Sequence, residues 1–197
     1  GILAFLLKFR KPALEVIGIE VLEEFHSLSL RNLALNPTMT GIAFEHLNVT
    51  DVPSRLIPDS CDLVVSNPPY YPKGTGKIPE EYARAVARHE LAGTLRDFIE
   101  AAAYLLPYGS KLAMVLPAAR FYEAQEILKA SQLGMRRLRF VKPKEGQNAS
   151  LALFEAERFY NGTHEAVPEL VIRLEDGRFS PEVDALITMG LRRKIRK

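Results

Sequence analysis

Cysteine is almost missing from this chain: Cys61 is the only one in 197 residues. A lone thiol excludes an internal disulfide and any cysteine-cluster zinc site, so Cys61 reads as a small packed apolar side chain. The four histidines, His26, His46, His89 and His164, are scattered without metal-ligand spacing, and no metal is expected. No apolar run approaches the roughly 18 residues of a membrane span. The opening Gly1-Ile2-Leu3-Ala4-Phe5-Leu6-Leu7 is cut short by Lys8, Arg10 and Lys11. Neither a membrane span nor a secretory signal is expected, and the cytoplasm is the default compartment. Asn161-Gly162-Thr163 is therefore read as a chance glycosylation match in a turn. One-signed charge is also lacking: the net charge of +2 excludes a polycation. There is no Gly-x-Ser-x-Gly elbow to support a hydrolase. Gly74-Thr75-Gly76-Lys77 is not a phosphate loop, because Tyr71 stands where the upstream glycine belongs and Ile78 replaces Ser or Thr. Internal repeats and low-complexity linkers are absent.

What is present is an alternation of helix and strand signals over a chain that is 47% hydrophobic, enough for one sizeable core. Residues 2–9 read as an amphipathic helix broken by Pro12, and Val16-Ile17-Gly18-Ile19 as a short buried strand ending at Glu20. A helix follows over 22–35, closed by Asn36-Pro37, then a strand over 42–48 and another over 61–66. After a loop over 67–79, helices are expected at 80–88 and 95–106. A buried strand is expected at 112–116, with Pro117 just past its end, then a helix over 119–132 stopped by Gly134. Residues 136–142 and 149–156 read as an antiparallel pair capping the sheet edge. A last strand over 169–174 with a turn at Asp176-Gly177 precedes an ill-defined tail. The expected class is α/β: a Rossmann-like, mostly parallel twisted sheet with an antiparallel edge hairpin.

Within this pattern the tetrapeptide Asn67-Pro68-Pro69-Tyr70 stands out, directly after Leu63-Val64-Val65-Ser66. Two prolines in succession offer no N–H to a ladder, so the chain leaves the sheet there. The carboxyl end of a parallel strand is where open α/β sheets bind ligands. An amide, a backbone carbonyl and an aromatic face presented together suit a planar, amine-bearing group such as a nucleobase. The competing reading is a rigid strand exit with a packed tyrosine. Glu20, at the end of its own strand, is placed to accept hydrogen bonds from ribose hydroxyls; the competing reading is an ordinary strand-end glutamate.

Asn-Pro-Pro-Tyr after a hydrophobic strand resembles the signature of class I S-adenosylmethionine-dependent methyltransferases acting on amino groups of adenine, cytosine or glutamine. The resemblance implies S-adenosylmethionine as cofactor and one catalytic domain over 1–197. The Asn67 side-chain oxygen and the Pro68 carbonyl would accept the protons of the target amine. Pro69 would complete the catalytic tetrapeptide, and Tyr70 would stack on the ring. Two acceptors aim the lone pair of a weakly nucleophilic amine, so positioning replaces a strong base. Glu20 would hold the cofactor ribose, Asp51 in Asn48-Val49-Thr50-Asp51 its adenine amino group, and Asn67 would border it. The glycine-rich loop of such enzymes is not seen, and Gly1-Ile2-Leu3 looks like its tail, with Gly1 the last glycine. The chain is thus expected to begin inside a longer polypeptide, without the first strand.

Tyr70-Tyr71-Pro72-Lys73-Gly74-Thr75-Gly76, Ala87-Arg88-His89-Glu90, Glu175-Asp176-Gly177 and Ser180-Pro181-Glu182-Val183 further resemble bacterial adenine-N6 methyltransferases of a valine tRNA. That resemblance implies tRNA as partner, with Lys73, Lys77, Arg84, Arg88 and His89 as candidate RNA contacts beside Tyr70. Arg136, Arg137, Arg139, Lys142 and Lys144 form either a phosphate-following patch or the charged guard of an edge strand. Residues 191–197 read as a solvated basic tail. Two rivals stay open: a protein glutamine-N5 methyltransferase, and an RNA-binding protein with an inactive site.

Overall fold

The computed structural model describes residues 1–70 and 92–192. The expected helix at 80–88, the candidate contacts Lys73, Lys77, Arg84, Arg88 and His89, and tail residues 193–197 lie outside the described residues. The chain forms two compact units, Gly1–Ser60 with Pro68–Leu105, and Cys61–Asn67 with Leu106–Lys197.

The first unit opens with helix α1 (Ile2–Arg10), strand β1 (Val16–Glu20), helix α2 (Glu23–Ala34) and strand β2 (Ile42–His46). β1 and β2 pair in parallel from Val16↔Ile42 to Glu20↔His46, with α2 as the crossover. Glu23 and Glu24 fall in the first turn of α2, where carboxylates face the positive end of the helix dipole. Ala4, Ile42 and Phe44 form the buried centre, joined by Phe5, Val16, Leu33 and Met39. Gly18 explains how Phe44 fits: a Cβ there would sit 2.7 Å from its ring. A 3-10 turn (Val49–Asp51) and a short helix α3 (Val52–Arg55) follow β2.

Helix α4 (Leu95–Leu105) starts with a reciprocal cap. The Asp97 N–H donates to Thr94 Oγ1 at 3.3 Å, and the Thr94 N–H donates to Asp97 Oδ2 at 2.7 Å. Its far end is tied to α3 by the Tyr104 hydroxyl, shared between the carbonyls of Pro53 and Leu56 at 3.1 and 3.2 Å.

The second unit is a mixed sheet in the order β3 (Leu63–Ser66), β4 (Lys111–Pro117), β6 (Leu151–Arg158), β5 (Leu133–Lys144). β3 and β4 are parallel, and β6 runs antiparallel to both β4 and β5. Leu112, Met114 and Leu116 of β4 and Ala152, Phe154 and Ala156 of β6 are buried, while their neighbours alternate outward. Helix α5 (Phe121–Ala130) contributes Ala124, Ile127 and Leu128 to the buried set.

Several boundaries differ from the sequence expectation. Pro117 ends β4 inside the strand instead of lying past it. Gly134 does not stop a helix: α5 ends at Ala130, the chain reverses at Gln132 with φ of 57°, and Gly134 already belongs to β5. A side chain at Gly134 would collide with the Tyr160 carbonyl oxygen, so close approach is the reason for glycine there. The hairpin β5–β6 does extend β4, but β5 is not bare, because β7 (Glu165–Ala166) and β8 (Leu170–Arg173) pair along it in parallel.

The supposed tail forms helix α6 (Pro181–Arg192). The Val183 N–H donates to Ser180 Oγ at 3.3 Å, and Val183 packs with Val141 and Leu170. Ser180-Pro181-Glu182 is a helix start by its local chemistry, with Pro at the first helical position and Glu in the first turn.

Candidate cofactor and substrate site

Of the residues expected to form the site, Glu20 and Asn67 stand at strand ends. Glu20 is the last residue of β1 and half-buried, and its Oε1 accepts the Leu22 N–H at 3.1 Å. Asp51 lies in the 3-10 turn after β2 and is exposed. That turn is capped by Asn48, whose side-chain oxygen accepts the Thr50 N–H at 3.2 Å. Gly1 caps α1, and a Cβ on it would come within 3.0 Å of Phe44 and as close to Cβ of Ser29. In the first unit Glu20 ends β1 and Asp51 lies in the 3-10 turn that follows the adjacent parallel strand β2, while Gly1 precedes α1.

Asn67 follows β3 directly and is exposed; Pro68 is buried, and Pro69 and Tyr70 are half-buried. The paired prolines act as expected: β3 ends at Ser66, opposite Met114, while β4 continues to Pro117. Just beyond it, the 3-10 turn Ala118–Arg120 buries Arg120 to 9% exposure. Its guanidinium meets both carboxylate oxygens of Glu123, at 2.8 and 2.7 Å. A buried guanidinium needs such a partner. Arg120 was missed in the sequence, although an Arg three residues before a Glu, just past a strand, is a usable signal.

His26 and His46 were also missed. Their rings stack at 5.5 Å and 21° beside the β1–α2 turn. The only sequence signal was their placement, one ending β2 and one early in α2.

Four cations of the basic stretch after residue 135 face carboxylates. Arg136 faces Glu157 at 3.4 Å, Arg137 faces Glu165 at 3.3 Å, Arg139 faces Glu182 at 2.6 Å and Lys142 faces Glu169 at 2.6 Å. Arg136 also lies 4.3 Å over the Tyr160 ring. The pairing of β7 and β8 along β5 argues against the edge-guard reading of the stretch. Four of the five cations have carboxylate partners, and β5 is not the edge they would guard. A shallow polar hollow lined by Lys111, Arg136, Arg137 and Glu155 is charge-balanced in the same way.

Among solved structures, a predicted O-methyltransferase of Agrobacterium tumefaciens superimposes with a TM-score of 0.70, at 20% identity, over 88% of this chain and 77% of that one. A putative class I S-adenosylmethionine-dependent methyltransferase of Listeria monocytogenes gives 0.52 at 18% identity, over 95% and 67%. The fold is that of the class I methyltransferases.

In sequence, the chain is 35% identical over 125 residues to a tRNA1(Val) (adenine(37)-N6)-methyltransferase of Tolumonas auensis, covering 64% of the chain and 51% of the relative. It is 26% identical over 184 residues to the protein of the same name in Flavobacterium johnsoniae, covering 92% and 76%. The chain therefore spans about half the length of the first relative and three quarters of the second. No family model matches it. Among the described residues, no helix is long and apolar enough to cross a membrane.

Proposed function

We propose that this chain carries the catalytic machinery of an S-adenosylmethionine-dependent N-methyltransferase whose target is adenine N6 in a tRNA anticodon loop. The observation that carries this reading is Asn67-Pro68-Pro69-Tyr70 at the carboxyl end of a parallel strand of a methyltransferase fold. The similarity to tRNA adenine-N6 methyltransferases supports the substrate class.

The donor set fits the cofactor. Glu20 has one carboxylate oxygen engaged by Leu22, which leaves Oε2 for a ribose diol. Asp51 is exposed and suited to accept from an adenine amino group. Gly1 is exposed, and a Cβ there would press on Ser29 and Phe44, so its backbone lies close against α2 and β2. Bound there, S-adenosylmethionine supplies a methyl group on a positively charged sulfur.

The chain's own work is to orient the acceptor. Asn67 Oδ1 and the Pro68 carbonyl take the two N–H bonds of the amine, which turns its lone pair out of conjugation with the ring. The Pro68-Pro69 backbone keeps both acceptors in place, and Tyr70 holds the base by its face. An unpaired loop adenine costs less to extrude than one in a duplex.

The deciding experiment supplies methyl-labelled S-adenosylmethionine with separate pools of unmodified tRNA and cellular protein. N6-methyladenosine in tRNA is the expected product. Methylglutamine in protein would transfer the function to the amide-modifying rival, and the internal pairing of the 136–142 cations leaves that outcome physically open. RNA binding without label would mean an inactive site.

A further inference from the structure

The turn that carries Glu20 is held from the side. His46 is the register partner of Glu20, and its Nε2 donates to the Val21 carbonyl oxygen at 2.9 Å. A carbonyl can only accept, so His46 carries its proton on Nε2 in this bond. The ring is backed by His26, whose Nε2 donates to the Phe44 carbonyl at 3.2 Å. The Glu20 backbone is gripped as well, its carbonyl accepting from the Leu47 N–H at 3.1 Å.

The Val21 carbonyl and the Leu22 N–H are two ends of one peptide group. His46 holds its oxygen, and the Glu20 carboxylate accepts its hydrogen at 3.1 Å. A peptide group is planar and stiff, so fixing the oxygen fixes the direction of the N–H. The N–H in turn fixes the carboxylate that engages it.

We infer that His46 is a positioning residue for donor binding, acting on Glu20 through the Val21–Leu22 peptide. This rests on the reading of Glu20 as the ribose-binding carboxylate. On this inference His46 acts only through the Val21–Leu22 peptide, so its effect exists only while Glu20 is there to be aimed.

The test is calorimetric binding of S-adenosylmethionine to the whole protein and to E20Q, H46A, H46Q and the double variant E20Q/H46A. H46A is expected to weaken binding about 5- to 10-fold, the scale of one net hydrogen bond. H46Q is expected to restore it, because the Gln amide nitrogen stands as many bonds from Cα as Nε2 and also donates. E20Q/H46A is expected to bind no worse than E20Q alone, since the two act in series.

Additive losses in the double variant, or full affinity in H46A beside a weakened E20Q, would overturn the positioning role alone. Full affinity in E20Q would remove the Glu20 reading itself, and this inference with it. If H46A does not fold, H46M fills the same space without donating and replaces it in every comparison.

Discussion

Arg139 grips Glu182 with both terminal guanidinium nitrogens, each 2.6 Å from a carboxylate oxygen, while its Nε donates to the Pro168 carbonyl at 2.7 Å. One side chain on β5 therefore fixes the first turn of α6 and the chain entering β8. The hydrogen bond from Arg139 holds the Glu182 carboxyl below the usual glutamate range, and Glu182 raises Arg139 in turn. The pair is exposed enough for solvent to screen it, so it serves to locate α6 more than to stabilise the unit.

A depressed carboxyl contributes while ionised and stops contributing once protonated. Docking of α6 should thus be constant above the ordinary glutamate range of about 4.3, weaken as pH falls below it, and lose the contribution of the pair once pH is under the lowered Glu182 value. Hydrogen exchange of the 182–188 amides against pH measures this. E182Q should show faster exchange at neutral pH and a weaker acid dependence. An unchanged acid dependence in E182Q would mean another group controls the helix.

Asn67→Ala removes one of the two acceptors for the amine and leaves Glu20 and Asp51 in place. Its kcat should fall by about 10²–10³, the usual cost of losing one positioned polar group, with S-adenosylmethionine affinity kept. Single-turnover methylation and donor binding on the same preparation separate the two. Equal loss in both would assign Asn67 to the cofactor.

Tyr70 is half-buried, and its proposed task is stacking. Tyr70→Phe should keep RNA use near the parent level, while Tyr70→Ala should weaken it by about 1–3 kcal/mol, the worth of one stacked base. Methylation rates across an RNA titration test the difference. Equal loss in Phe and Ala variants would point to the hydroxyl instead.

Gly134→Ala should destabilise by about 1–3 kcal/mol, because the new methyl meets the Tyr160 backbone and β5 must shift. A urea melt with an unchanged slope would register it. Gly146→Ala is the contrast: its φ of 77° is strained for alanine, yet no atom lies within 4 Å of its Cβ position. Backbone strain without collision should cost less.

Local pattern carried much of this fold. The 3.6 and 2.0 periods located α2, α4, β4 and the β5–β6 pair to within a few residues, since each depends only on neighbours in the chain. The tetrapeptide was legible for the same reason: adjacent prolines end a strand whatever lies around them. Other features needed the folded partner. That Gly134 makes room for Tyr160, that β7 and β8 cover β5, and that glutamates from distant segments match Arg136, Arg137, Arg139 and Lys142 are long-range facts. So is the His46 bond to Val21, which joins residues 25 apart. Periodicity and proline chemistry act along the chain, whereas charge pairing and close approach depend on which segments packing brings together; the sequence therefore determined where the strands end, and the tertiary structure decided what meets them there.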